Sequence, residues 1–184
     1  MTDGDGQRLR LEPWAEDGLE LLRRQNTPEM TSHLGGPETE TQVLDRHQRY
    51  LRLARAAGQG SGAGQMLRII LPGLGGGEVA GTVGYWEREW QGEKVYETGY
   101  AILPEFQGRG LAVAALLAVL PLAAAERRYR YIHAFPSVQH TASNAVCRKA
   151  GFELAGECEF EYPKGHFEQS NDWRADLTAL RSSC

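Results

Sequence analysis

Cysteine is scarce here: the 184-residue chain has three, at positions 147, 158 and 184. An odd, scattered set builds neither a disulfide framework nor a metal-ligand cluster, so a reducing cytoplasmic setting and no metal are expected. There is no charged-then-apolar leader and no apolar run of about 18 residues, which argues against secretion and against a membrane partner. Cations are not in excess either. Lys and Arg number 20 against 24 Asp and Glu, and a formal net charge of −4 does not suit a nucleic-acid footprint over the whole surface. Arg46, Arg49, Arg52 and Arg55 do form a basic row at helical spacing, which reads as the solvated face of a helix. The Gly-Lys-Ser/Thr ending of a nucleotide P-loop is missing. Position 113 is Val where a dinucleotide fingerprint needs Gly or Ala.

What is present is a strand that runs into a glycine-rich turn and then an apolar helix, from Gly99 through Pro104, Gln107, Gly108 and Gly110 to Ala112. N–H groups at a helix start point outward with partial positive charge, so the first turn can receive a pyrophosphate without a lysine. Glycine at 108 and 110 removes the Cβ atoms that would keep a phosphate from that backbone. An ordinary strand-loop-helix connection explains a lone Gly-x-Gly equally well.

Length alone favours one domain over residues 1–184, with residues 1–7 expected to be disordered and 58–64 a flexible loop. Arg8 to Glu12 reads as a strand and Glu16 to Arg24 as a helix; Met30 to Pro37 reads as a loop. Glu38 to Ala57 gathers Val43, His47, Tyr50 and Ala54 on one side, as an amphipathic helix should. Gln65 to Leu71 and Glu78 to Glu87 read as a hairpin, and Lys94 to Leu103 as a strand that Pro104 ends. Leu111 to Arg127 is a helix with an expected kink at Pro121. A strand at Tyr129 to Phe135, a helix at Thr141 to Ala150 and strands at Phe152 to Phe160 and Asn171 to Leu180 complete the chain.

Gln107, Gly110 and Ala112 match the pattern Gln/Arg-x-x-Gly-x-Gly/Ala, which resembles the coenzyme A signature of the GNAT superfamily of N-acetyltransferases. About 35 residues on, Ser143, Val146, Lys149, Gly151 and Phe152 resemble a segment of the branch that acetylates alanine or serine N-termini of ribosomal proteins. The resemblance runs from Leu9 to Leu180. It implies a mixed, mostly antiparallel α/β sheet, splayed near its middle and flanked by helices. It also implies acetyl-CoA as co-substrate and a primary amine as acceptor, on a peptide N-terminus or a small molecule; a homodimer is compatible with it.

The resemblance places the pyrophosphate on Gln107, Gly108, Arg109, Gly110, Leu111, Ala112 and Val113, and the pantetheine arm along Tyr100, Ala101 and Ile102. Glu161 falls where this branch has a glutamate after its penultimate long strand, and Glu97, on the strand leading to the cofactor, competes with it as general base. Ser143 matches a serine set beside the coenzyme A sulfur, although serine at a helix start is also an N-cap. Two positions depart from the pattern. Cys147 stands where many relatives have a tyrosine, and a buried, inert thiol is expected there in preference to a nucleophile with His140 as its base. His140 stands where relatives carry an asparagine that bonds the pantetheine. His33 and His166 fall in expected substrate loops. The departures also motivate an alternative, a coenzyme A-binding regulatory or interaction module that lost turnover.

Overall fold

The computed structural model describes residues 9–181; the disorder expected for residues 1–7 concerns positions outside that range, as does Cys184. Seven strands form one sheet in the order β1-β2-β3-β4-β5-β7-β6. They are β1 (Arg10–Pro13), β2 (Gly64–Leu71), β3 (Glu78–Trp90), β4 (Glu93–Ile102), β5 (Tyr131–Ala134), β6 (Glu153–Glu161) and β7 (Phe167–Asp176). Five helices flank them: α1 (Leu19–Gln25), α2 (Glu40–Gly58), α3 (Leu111–Ala125), α4 (Thr141–Lys149) and α5 (Leu177–Arg181). Every neighbouring pair is antiparallel except β4 and β5. This is the mixed, mostly antiparallel α/β architecture that the sequence led us to expect.

Local chemistry accounts for the helices. Thr39 and Gln42 form a capping box that satisfies orphan N–H groups at the start of α2, worth about 1 kcal/mol. Val43, His47 and Leu51 then face inward one turn apart, and His47 Nδ1 accepts from Trp14 Nε1 at 3.1 Å. Helix α3 packs on β3, β4 and α5 and buries Leu111, Ala115, Leu116, Val119, Leu120, Ala123 and Ala124, so it is apolar nearly all round, as an interior helix is. It runs through Pro121 to Ala125.

The feature that positions the site is the parallel pair. Strands β4 and β5 register only at Tyr96 with Ile132 and Glu97 with His133. Beyond Glu97, β4 continues to Ile102 with β3 on one side and no registered strand on the other, so the sheet forks there.

Two segments differ from the sequence expectation. The β3–β4 hairpin extends to Trp90 and Glu93 around Gln91 and Gly92, whose φ values of 50° and 81° are those of a primed two-residue turn. The last strand begins at Phe167 and stops at Asp176, where a strand to Leu180 was expected. The Asp176 carboxylate accepts from Thr178 N–H at 2.9 Å and from the Thr178 hydroxyl at 2.6 Å. That local bond offers the backbone a helix start in place of a ladder, and Leu177–Arg181 follow as α5. Among the described residues, no helix is long and apolar enough to cross a membrane.

Candidate active site

The turn before α3 presents donors without acceptors. Gly108 and Gly110 have φ of 75° and 74°, a left-handed conformation that glycine adopts without Cβ strain. A Cβ built at either meets nothing within 4 Å, so glycine is favoured there by backbone conformation and leaves open space above it. Gln107 N–H donates to Pro104 C=O at 3.2 Å, and Ala114 N–H is the first to reach a helical acceptor, Gly110 C=O at 3.0 Å. Between them the N–H groups of Gly108, Arg109, Gly110, Leu111, Ala112 and Val113 have no acceptor among the described residues. Such a row at a helix N-terminus favours an anion. The Arg109 guanidinium lies beside it, over the Phe106 ring at 5.6 Å.

The strand that feeds this turn carries the open edge of the fork. Leu103 N–H donates across to Ala80 C=O at 2.9 Å. By the alternation of a strand, the polar groups of Ile102 and Tyr100 therefore point the other way, into the fork. Ile102 C=O accepts from Gln107 Nε2 at 2.9 Å. Gln107 thereby ties the strand end to the loop.

Two hydroxyls meet on the face of β4 that carries α4. Tyr100 Oη lies 2.6 Å from Ser143 Oγ and donates to Ser143 C=O at 3.2 Å. Burial pushes the Tyr100 phenol well above its ordinary value. Cys147 is completely buried, and burial pushes its thiol up to about 12, which makes it inert as a nucleophile. Asn144 holds α4 in place. Its Nδ2 donates to Ser137 C=O and His140 C=O, both at 2.9 Å, while its Oδ1 accepts from Asn171 at 2.7 Å and Trp173 at 2.8 Å.

The two candidate carboxylates differ sharply. Glu97 is 8% exposed, registers with His133 where the sheet forks, and accepts from Arg88 Nη1 at 2.7 Å. Burial raises its pKa, and the Arg88 guanidinium opposes the rise. Arg88 lies over the Phe160 ring at 4.3 Å, which holds the pair in place. Glu161 is exposed at the end of β6, and its Oε1 accepts from Gly165 N–H at 2.7 Å in the turn to β7.

A family model for the acetyltransferase (GNAT) domain matches residues 8–153. The chain belongs to the GNAT family. Solved structures agree in fold. An acetyltransferase of the GNAT family from Bacillus anthracis is 19% identical, with a TM-score of 0.71 over 93% of this chain and 96% of that one. The acetyltransferase of Salmonella typhimurium that modifies the N-terminal serine of ribosomal protein L7/L12 is 21% identical, with a TM-score of 0.70 over 91% and 94%. A spermidine N-acetyltransferase from Vibrio cholerae, in complex with CoA and spermine, is 15% identical, with a TM-score of 0.71 over 95% and 98%. No curated protein matches the chain.

Within this GNAT fold, Gln107 to Val113 adjoin the end of the open edge, and Tyr100 and Ser143 share the α4 face. Glu161 ends β6 and is bonded to the turn that follows it. His140 forms the N-cap position of α4 without a side-chain cap bond and stacks on His33 at 4.3 Å and 16°; burial lowers its pKa, and His33 adds to that effect. The stack joins the loop between α1 and α2 to α4. The sequence assigns Tyr100 to the pantetheine arm and gives Asn144 no role. Strand alternation from Ile102 could have turned the Tyr100 phenol toward α4. Nothing in the motif announces the four bonds of Asn144, whose partners come from the loop before α4 and from β7. Among the described residues no group of three His, Cys, Asp or Glu could hold a metal.

Proposed function

We propose that the protein acetylates a primary amine, on a peptide N-terminus or a small molecule, at the expense of acetyl-CoA. The fork carries this reading: an open strand edge leads into a row of unpartnered N–H groups, with a buried carboxylate where the strands part. Solved GNAT folds with CoA bound, the Vibrio cholerae enzyme among them, support the choice of co-substrate. Acetyl-CoA supplies an acetyl group activated as a thioester. The N–H groups from Gly108 to Val113, with Gln107 and Arg109 beside them, would hold its pyrophosphate, and Tyr100, Ala101 and Ile102 its pantetheine arm as an added strand. His140 stands at the start of α4, where its imidazole would give one hydrogen bond to the same arm.

The chain's own groups then manage the protons. Glu97 takes the proton that the amine nitrogen loses as it bonds to the acetyl carbon, directly or through water. A carboxylate whose pKa is raised by burial is a better base at neutral pH than an exposed one. The Ser143 hydroxyl gives a proton to the departing sulfur and regains one through the Tyr100 phenol, 2.6 Å away, which is itself reprotonated from water. Burial keeps that phenol protonated. Glu161, whose carboxylate is bonded to the Gly165 N–H, is assigned to the turn. Coenzyme A release from acetyl-CoA, measured against N-terminal peptides, polyamines, aminoglycosides and amino acids, tests the reading. Tight CoA binding with no release on any amine would refute it.

A further inference from the structure

The loop between α1 and α2 is bonded to itself and reaches across the fork. Its ends are pinned by Asn26, whose Nδ2 donates to Glu38 C=O and whose Oδ1 accepts from Glu38 N–H, both at 2.8 Å. Within it Thr31 gathers the chain. The Thr31 N–H and hydroxyl donate to Thr27 C=O at 3.0 and 2.7 Å, and the Thr31 C=O accepts from Leu34 N–H at 2.8 Å and Gly36 N–H at 3.1 Å. A loop with these internal bonds forms as a unit. Its tip meets the far half of the fold twice. The His33 ring stacks on His140 at the start of α4, with centroids 4.3 Å apart and planes 16° from parallel. Gly35 lies against the turn from β6 to β7, where a Cβ would come within 2.9 Å of Pro163. The loop leaves the half that carries β1 to β4, whereas α4, β6 and β7 lie beyond the fork. Among the described residues no hydrogen bond or ion pair joins residues 27–37 to either contact, so a ring stack and a glycine–proline contact hold the tip.

Stacking uses the face of a ring and leaves its edge free. Neither nitrogen of His140 has a hydrogen-bond partner among the described residues, so the stack fixes the plane of the imidazole and keeps both edge atoms available. A side chain held in advance loses less rotamer freedom when it binds a ligand than one that is free to turn. We propose that His33 is a positioning residue: it holds the His140 imidazole for the pantetheine arm of acetyl-CoA, and it thereby ties the α1–α2 loop to the bound cofactor. The inference rests on the transfer reading above, which sets the arm beside His140. Coupling of this kind is reciprocal, so a cofactor that favours the stacked His140 also favours the docked loop. The loop is then firmest when the cofactor is in place.

Hydrogen exchange of the full chain, free and saturated with CoA, reads the loop directly, and calorimetry with CoA reads the cofactor site. In the wild type CoA should slow exchange of the Thr31, Leu34 and Gly36 amides, whose bonds close the loop, by about threefold or more. His33→Ala should remove that protection and raise the CoA Kd about three- to tenfold, the range that an aromatic pair commands. His33→Phe, which keeps a flat ring and discards the nitrogens, should restore most of both. Recovery by ring shape alone is what a stack predicts and what a hydrogen-bonding or solvated histidine does not. CoA that binds the wild type without slowing the loop, or that slows it equally in His33→Ala, would overturn the proposal and leave the transfer reading standing. Equal loss of affinity in His33→Ala and His33→Phe would overturn it as well. If CoA does not bind the wild type at all, the transfer reading falls and the positioning role falls with it.

Discussion

Exchanging each candidate glutamate for glutamine separates a base from a structural carboxylate, because the two side chains sit in opposite surroundings. Glu97 is 8% exposed beside Arg88 at 2.7 Å. Glutamine retains an oxygen for that guanidinium, so Glu97→Gln should fold while losing the only part a base needs, its charge. A positioned general base supplies about 10²–10⁴ in rate, or roughly 2.7–5.4 kcal/mol of barrier, and the loss of kcat/KM should fall in that range. Its pH dependence decides the cause. Burial raises the Glu97 pKa, so the acid limb of the wild-type profile should lie above the ordinary value of about 4.3 for a glutamate. A peptide α-amine has a pKa near 7.7–8.0. The loss in Glu97→Gln should therefore be greatest at about pH 6–7 and shrink toward pH 9, where the acceptor deprotonates itself. Glu161→Gln keeps an oxygen for Gly165 N–H and should stay within about threefold of wild type at every pH, as exposed substitutions usually do. Initial rates with one peptide, across pH 6 to 9, provide the measurement. A pH-dependent loss in Glu161→Gln with none in Glu97→Gln would refute the assignment. A pH-independent loss in Glu97→Gln would make Glu97 an acceptor contact.

The cradle is tested by Gly110→Ala, which places a Cβ at φ 74°: the strain should cost about 1–2 kcal/mol of stability, and acetyl-CoA affinity should fall about tenfold, or 1.4 kcal/mol. Calorimetry that finds full affinity in the folded variant would reject the placement. Ser143→Ala should slow transfer with CoA affinity within a few-fold, and Tyr100→Phe should slow it less, since Ser143 can be reprotonated from water; equal rates in both variants and wild type would remove the hydroxyl pair from the chemistry. Cys147, fully buried with its thiol pushed up to about 12, should resist alkylation in the native protein, and mass spectrometry that traps an acetylated Cys147 would reopen the covalent route. α-Amines should be preferred over lysine amines, whose pKa near 10.4 leaves them almost wholly charged at pH 7; a lysine preference in the peptide panel would count against a single carboxylate base.

The fold was legible where pattern and chemistry agree locally. Hydrophobic periodicity located α2, and the glycine turn located the start of α3. The β3–β4 hairpin was underestimated because Gln91-Gly92 is not among the turn dipeptides that stand out in sequence, although its φ values make the same turn. The end of β7 was misread because Trp173, Ala175 and Leu177 continue the inward alternation. The Asp176 carboxylate, by bonding Thr178, overrides that pattern at a single residue. Propensity reads a segment, whereas a cap acts at one position.

The site divides along the same line. Its cofactor side was legible because an anion held by backbone needs only a strand, glycines of unusual φ and a helix start, all contiguous in sequence. Its candidate base is assembled from three strands, with Glu97 on β4 held by Arg88 on β3, which lies over Phe160 on β6. No spacing links those positions, and each residue alone reads as a solvated charge or a core side chain. The basic row on α2 shows what the fold adds, for helical spacing put four arginines together without saying which of them face a neighbour. The fold gives Arg46 to Glu38 at 2.6 Å and Arg55 to Glu16 at 3.5 Å, and leaves Arg49 and Arg52 exposed. Helical spacing thus fixes which side chains share a face, and the neighbouring segments decide which of them find a partner.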